Sequence, residues 1–197
     1  MSHLTEGLHP PTSLEPGQVA VKRSSCQKAI NAGAYAASMQ IAVVGGSEAS
    51  PDVLADAEVT GLALASAGAT LVCGGLGGVM AAACRGAKLA GGLTIGILPG
   101  TDRSVANQWV DVVIATGLGE ARNALVVSSS SAVIAIDGEY GTLSEIALAL
   151  RADIPVIGLG TWSLTHPNGA ADDGIVRAPN PIDAVATAIK LASSGRG

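Results

Sequence analysis

From residue 40 to residue 192 the sequence alternates two kinds of segment. Short apolar runs end at glycine or proline, and longer stretches carry apolar residues at helical spacing. Such a chain is constrained to a parallel sheet with right-handed helical crossovers, because each short run must be buried and each long stretch must carry the chain back to the same edge. The short runs fall at 41–44, 70–73, 93–98, 110–115, 133–136 and 155–159. Helices are expected from Ser50-Pro51, an N-cap and first-position proline, up to Gly68, then at 79–90, 118–128, the second half of 133–150, and 182–192.

Composition agrees with this reading. Hydrophobic residues make up 48% of the 197, yet aromatics only 2%, with no Phe. The core is therefore built from Val, Ile, Leu and Ala, which suits strands covered on both faces by closely approaching helices. The fold class expected is α/β, a Rossmann-like doubly wound parallel sheet of about six or seven strands in a single domain, residues 39–197. Residues 162–181 read as a long loop. Residues 1–38, with His9-Pro10-Pro11 and Pro16-Gly17, read as a poorly ordered extension with one weak helix near 26–37. Met39, directly before the first strand, is a conceivable alternative start.

Several function classes drop out. A net charge of −5 argues against nucleic acid as a partner, and no apolar run approaches the roughly 18 residues of a membrane span. Cys26, Cys73 and Cys84 form no CxxC pair and no metal spacing with the three histidines, so they read as free thiols in a reducing, cytoplasmic setting.

Four turns are candidates for chemistry. Gly45-Gly46-Ser47 follows the first strand and is either a tight turn or a ligand loop. Gly74-Gly75-Leu76-Gly77-Gly78-Val79-Met80 has more glycine than one turn needs, and its N–H groups can form an anion nest. Arg122 sits early in a helix, opposed to the helix dipole, so it needs a partner such as Glu120, Glu145 or a phosphate unless it is simply exposed. The turn Asp137-Gly138-Glu139-Tyr140-Gly141-Thr142 lies between the fifth strand and its helix, where an open sheet binds ligands and a helix start favours anions. Glu145, expected in the first helical turn, is either an active-site carboxylate or the acid of a Thr142-x-x-Glu145 capping box.

Taken together, Cys73 to Met80, Ala90 to Gly100, Thr116-Gly-Leu-Gly-Glu-Ala-Arg-Asn123 and Tyr140-Gly-Thr-Leu-Ser-Glu145 resemble the LOG-type Rossmann family. That family is often labelled as lysine decarboxylases and includes phosphoribohydrolases of nucleoside monophosphates. The branch resembled more closely is that of molybdenum cofactor carrier proteins. The resemblance implies a carrier for a phosphorylated small molecule, with the molybdenum cofactor as bound cargo or a nucleotide in its place, and no cofactor required. Its alternative is an N-glycosidic hydrolase in which Arg122 orients substrate and Glu145, 23 residues on, acts at the nucleoside. It also implies a homo-oligomer, a dimer or tetramer. The ligand-binding residues expected are Gly45, Gly46, Ser47, Gly74, Gly75, Gly77, Gly78, Met80, Gly138, Tyr140, Gly141 and Thr142.

The chain departs from the family motif at three points. Asp137 and Glu139 stand where the family has proline and glycine, and Asn123 replaces a lysine after Arg122. A carboxylate ~5 Å from a phosphate costs ~3 kcal/mol at an effective dielectric of about 20. The decarboxylase label fits poorly, since none of Lys22, Lys28, Lys88 and Lys190 lies at the carboxyl end of a strand to form a Schiff base.

Overall fold

A computed structural model of the chain describes residues 39–194. The extension expected at 1–38, with its helix and Cys26, lies outside the described residues. The elements follow in the order β1 (Gln40–Gly45), α1 (Pro51–Ser66), β2 (Thr70–Cys73), α2 (Gly78–Leu89), β3 (Thr94–Leu98), β4 (Val112–Ala115), α3 (Asn123–Ser128), β5 (Ala132–Ile136), α4 (Tyr140–Arg151) and β6 (Val156–Leu159). A short antiparallel pair, β7 (Leu164–Thr165) and β8 (Ala171–Asp172), precedes β9 (Ile175–Arg177) and α5 (Pro181–Ser194).

The fold is a Rossmann-like sheet of seven strands in the order β4-β3-β2-β1-β5-β6-β9, every neighbouring pair parallel. The chain runs outward from β1 to β4, then returns to place β5 on the other side of β1. The strand order therefore reverses between β1 and β5, and the crevice at their carboxyl ends is the ligand position of such a fold.

Strand pleating sorts the core into two layers. Ile41, Val43, Leu71, Ile134 and Ile136 face α1, α2 and α5, while Ala42, Val44, Val72, Val133 and Ala135 face α3 and α4. All ten are essentially inaccessible. The two buried thiols, Cys73 and Cys84, lie in the first layer with their Sγ atoms 3.5 Å apart. Among the described residues no helix is long and apolar enough to cross a membrane.

Two expectations need correction. The loop at 162–181 contains β9, whose Ile175 is buried and which pairs with β6 as the sheet's seventh strand. Three residues carry too little periodicity to be read as a strand. The helix expected at 118–128 is shorter: positive φ at Gly119 bars a helical start at Leu118, the chain makes a 3-10 turn (Gly119–Arg122), and α3 begins at Asn123.

Helices α1 and α2 cross at glycine. A Cβ on Gly61 would lie 1.9 Å from the Ala83 carbonyl oxygen, and one on Gly86 would lie 1.9 Å from that of Glu58. Helix propensity alone favours Gly86→Ala by about 1 kcal/mol. The backbone contact reverses the sign, and a loss of about 2 kcal/mol or more is expected in urea unfolding. An unchanged or raised stability would show that the two helices are free to separate.

Candidate functional site

A cavity of about 280 Å³ opens at the switch point, lined from four directions. The β1 turn contributes Gly45, Gly46 and Ser47, and the chain after β2 contributes Leu76 and Met80. Glu120, Arg122 and Asn123 come from the 3-10 turn and the start of α3, and Glu139, Gly141, Thr142 and Glu145 from the β5–α4 connection.

The β5–α4 turn is held in an unusual backbone path. Asp137 has φ +48 and Gly138 φ +111, and Asp137 donates its N–H to the Leu159 carbonyl. Glu139 is extended at the N-cap of α4 and its side chain caps no N–H. The first turn of a helix leaves its N–H groups without intrahelical partners. The start of α4, at Gly141 and Thr142, therefore meets the cavity with its donors and its positive dipole end uncapped.

The capping box read into Thr142 and Glu145 is not formed. Gly141 is helical rather than part of the turn, so α4 begins at Tyr140 and Thr142 is its third residue. Glu145 thus falls in the second turn, where its carboxylate is buried and lies 3.5 Å from Nη1 of Arg122.

Arg122 is not an exposed surface charge, since only 7% of its side chain is accessible. It fits because residue 74 has no side chain. A Cβ there would lie 2.6 Å from Nη1 and 2.8 Å from Nη2 of Arg122, and 2.8 Å from the Met80 sulfur. The Nε of Arg122 is buried without a hydrogen-bond partner among the described residues. Burial pushes the Glu145 carboxyl up to about 7, against the opposing pull of Arg122 and with a further push from Glu120.

Eight of the expected site residues thus converge on one cavity: Gly45, Gly46, Ser47, Met80, Arg122, Gly141, Thr142 and Glu145. Gly74, Gly75, Gly77, Gly78, Gly138 and Tyr140 do not line it. Gly74 instead forms the floor beneath Arg122, and Gly78 (φ +57) lets the α2 start meet the turn after β1, where Val79 N–H donates to the Gly46 carbonyl at 3.0 Å. Leu76, Glu120, Asn123 and Glu139 line the cavity without having been singled out as ligand residues. The available signal was adjacency, since three of them flank Arg122 or the α4 turn. Asp137 faces elsewhere, in a second cavity of about 530 Å³ shared with Ser50, Asp56 and Leu159, so of the two departing carboxylates only Glu139 meets the first.

Residues 38–184 match the family model of the SLOG cluster4 family. The chain is similar to the molybdenum cofactor binding protein from the phototrophic bacterium Rippkaea orientalis, at 38% identity over 80% of this chain and 96% of that one, with a TM-score of 0.67. It is similar to the Moco carrier protein from Chlamydomonas reinhardtii at 35% identity over 80% and 99%, with a TM-score of 0.69. An uncharacterized protein of Archaeoglobus fulgidus is 46% identical over 113 residues, 57% of this chain and 74% of that protein.

The buried pair has a consequence for stability. Glu145 has an ordinary value of 4.5 and a folded value of about 7, so the native state holds its proton more tightly than the unfolded chain. The resulting stabilisation is complete below pH about 4.5 and is lost as pH rises through about 7. At about 1.4 kcal/mol per pH unit it amounts to at most about 4 kcal/mol. Urea unfolding at pH 5 and pH 8 is expected to show this fall in the native protein and its absence in Glu145→Gln. Parallel pH dependence in the two would place the titration elsewhere.

Proposed function

Since the chain belongs to the SLOG cluster4 family, we propose that it is a carrier that binds a phosphorylated small molecule in the switch-point cavity, the molybdenum cofactor or a nucleotide. The observation that carries this reading is the buried Arg122, whose Nε lacks a partner, in the same cavity as the uncapped start of α4. A helix N-terminus and a guanidinium both favour an oxyanion, and an unpartnered buried N–H is satisfied by one. The cofactor named for two of its structural relatives carries such a phosphate. Self-association is supported by exposed Val112 and Ile114 on edge strand β4, together with exposed Leu118 and Leu125. We place the protein in the cytoplasm on its cysteine usage.

A second reading is favoured by one group. A carboxyl near 7, as in Glu145, is poised for general acid–base work at neutral pH. With Arg122 beside it, the same cavity suits a phosphoribohydrolase. Chromatography of protein incubated with AMP separates the readings. Free adenine that disappears in Glu145→Gln identifies the hydrolase, and intact AMP favours the carrier.

For the carrier, Arg122→Met is expected to weaken binding of AMP or the molybdenum cofactor by about 10- to 100-fold in calorimetric titration, the loss of a charge-assisted hydrogen bond. Glu139→Gly is expected to tighten it by up to about tenfold, since an exposed carboxylate beside the phosphate site is partly screened. Unaltered affinity in Arg122→Met would remove the anion site from this cavity.

A further inference from the structure

We infer that Glu120 reads the heterocycle of the ligand, accepting hydrogen bonds from an exocyclic amino group and the adjacent ring N–H. That pair of donors is the edge shared by guanine and pterin rings. The inference rests on the carrier reading and names the ligand class of the same cavity.

The cavity's charges suit a second kind of ligand group beside a phosphate. Three carboxylates line it, from Glu120, Glu139 and Glu145, against one guanidinium. A phosphate accounts for Arg122 and the start of α4 and for nothing else. Ionised carboxylates only accept hydrogen bonds, so a ligand that displaces water from the remaining ones must offer donors or a cation in its place. A shared metal ion does not supply this, because no three His, Cys, Asp or Glu side chains among the described residues are grouped to hold one.

The three carboxylates differ in what they already have. Glu145 is buried against Arg122 at 3.5 Å. Glu139 immediately precedes the helix start that would hold the phosphate, so it lies at the anionic end of the ligand. Glu120 is exposed, lines the cavity from the 3-10 turn, and its carboxylate makes no hydrogen bond or ion pair among the described residues. It is close enough to Glu145 to push that carboxyl up, so its charge acts inside the site. Arg122, two residues later on the same turn, also lines the cavity, with more than nine-tenths of its side chain buried and its Nε unpartnered among the described residues. One turn thus presents an acceptor and a donor to a single ligand.

A lone carboxylate can distinguish rings by their donors. Guanine and pterin edges offer two parallel N–H bonds, which a carboxylate accepts with both oxygens. Hypoxanthine keeps the ring N–H and lacks the amino group. Adenine offers its amino group beside a ring lone pair that the carboxylate repels.

Calorimetric titration of the full chain at fixed pH with GMP, IMP, AMP and ribose 5-phosphate tests this. GMP is expected to bind about 10- to 100-fold more tightly than IMP or AMP, the usual effect of hydrogen bonds to a charged group. In Glu120→Gln the GMP preference over IMP and AMP is expected to collapse, while ribose 5-phosphate binds no more weakly, because losing a carboxylate lessens the repulsion of its phosphate. Equal binding of GMP and IMP, with ribose 5-phosphate still bound, overturns the inference and leaves the carrier reading standing. A GMP preference that survives Glu120→Gln overturns the assignment to this residue. Binding of none of the four removes the nucleotide from the carrier reading and overturns the inference with it.

Discussion

The buried guanidinium of Arg122 is the group on which the rest of this site depends. A charge with 7% of its side chain exposed is costly unless something compensates it. Glu145 lies 3.5 Å away on α4, a helix that follows β5 across the sheet from the strand preceding Arg122. The cation therefore links the two halves of the doubly wound sheet at the point where strand order reverses. Its burial also explains why residue 74 is glycine, since any side chain there would occupy the space of the guanidinium.

The compensation is incomplete, and this is what makes the site chemically useful. Glu145 faces Nη1, but Nε has no partner, and the same burial that stabilises the pair's geometry raises the Glu145 carboxyl to about 7. Near neutral pH the pair is then a cation only partly neutralised, beside a helix start whose N–H groups no side chain caps. On the carrier reading, a ligand phosphate in the cavity meets the guanidinium and the helix start together. The carboxylates at the cavity's rim then discriminate among phosphorylated molecules, because each repels an anion and attracts an N–H donor.

Much of the fold was legible because strand and helix patterns differ sharply in a chain with almost no aromatic residues. β2 falls at 70–73 as read, and the Ser50-Pro51 start of α1 is where the cap and proline placed it. What was not legible depended on tertiary context. β9 is three residues long and is a strand only because β6 offers it an edge. Thr142 and Glu145 have the spacing of a capping box, yet Gly141 joins the helix and moves both residues inward. The glycines at 74–78 read as an anion nest, whereas Gly74 and Gly78 are needed for close approach, one beneath Arg122 and one against the turn after β1. Asp137 and Glu139 are two residues apart in sequence, but the backbone turn between them sends them to different cavities. Sequence spacing identifies the turns, and backbone direction decides which side chains share a site.

The most direct measurement is of the donors themselves. In a nitrogen–proton correlation spectrum titrated with AMP, the Arg122 Nε–H and the backbone amides of Gly141 and Thr142 are expected to shift together and saturate at one ligand concentration. Saturable shifts that leave these three resonances in place and appear around the second cavity, at Asp137 and Gly160, would contradict the assignment of the switch-point cavity as the phosphate site.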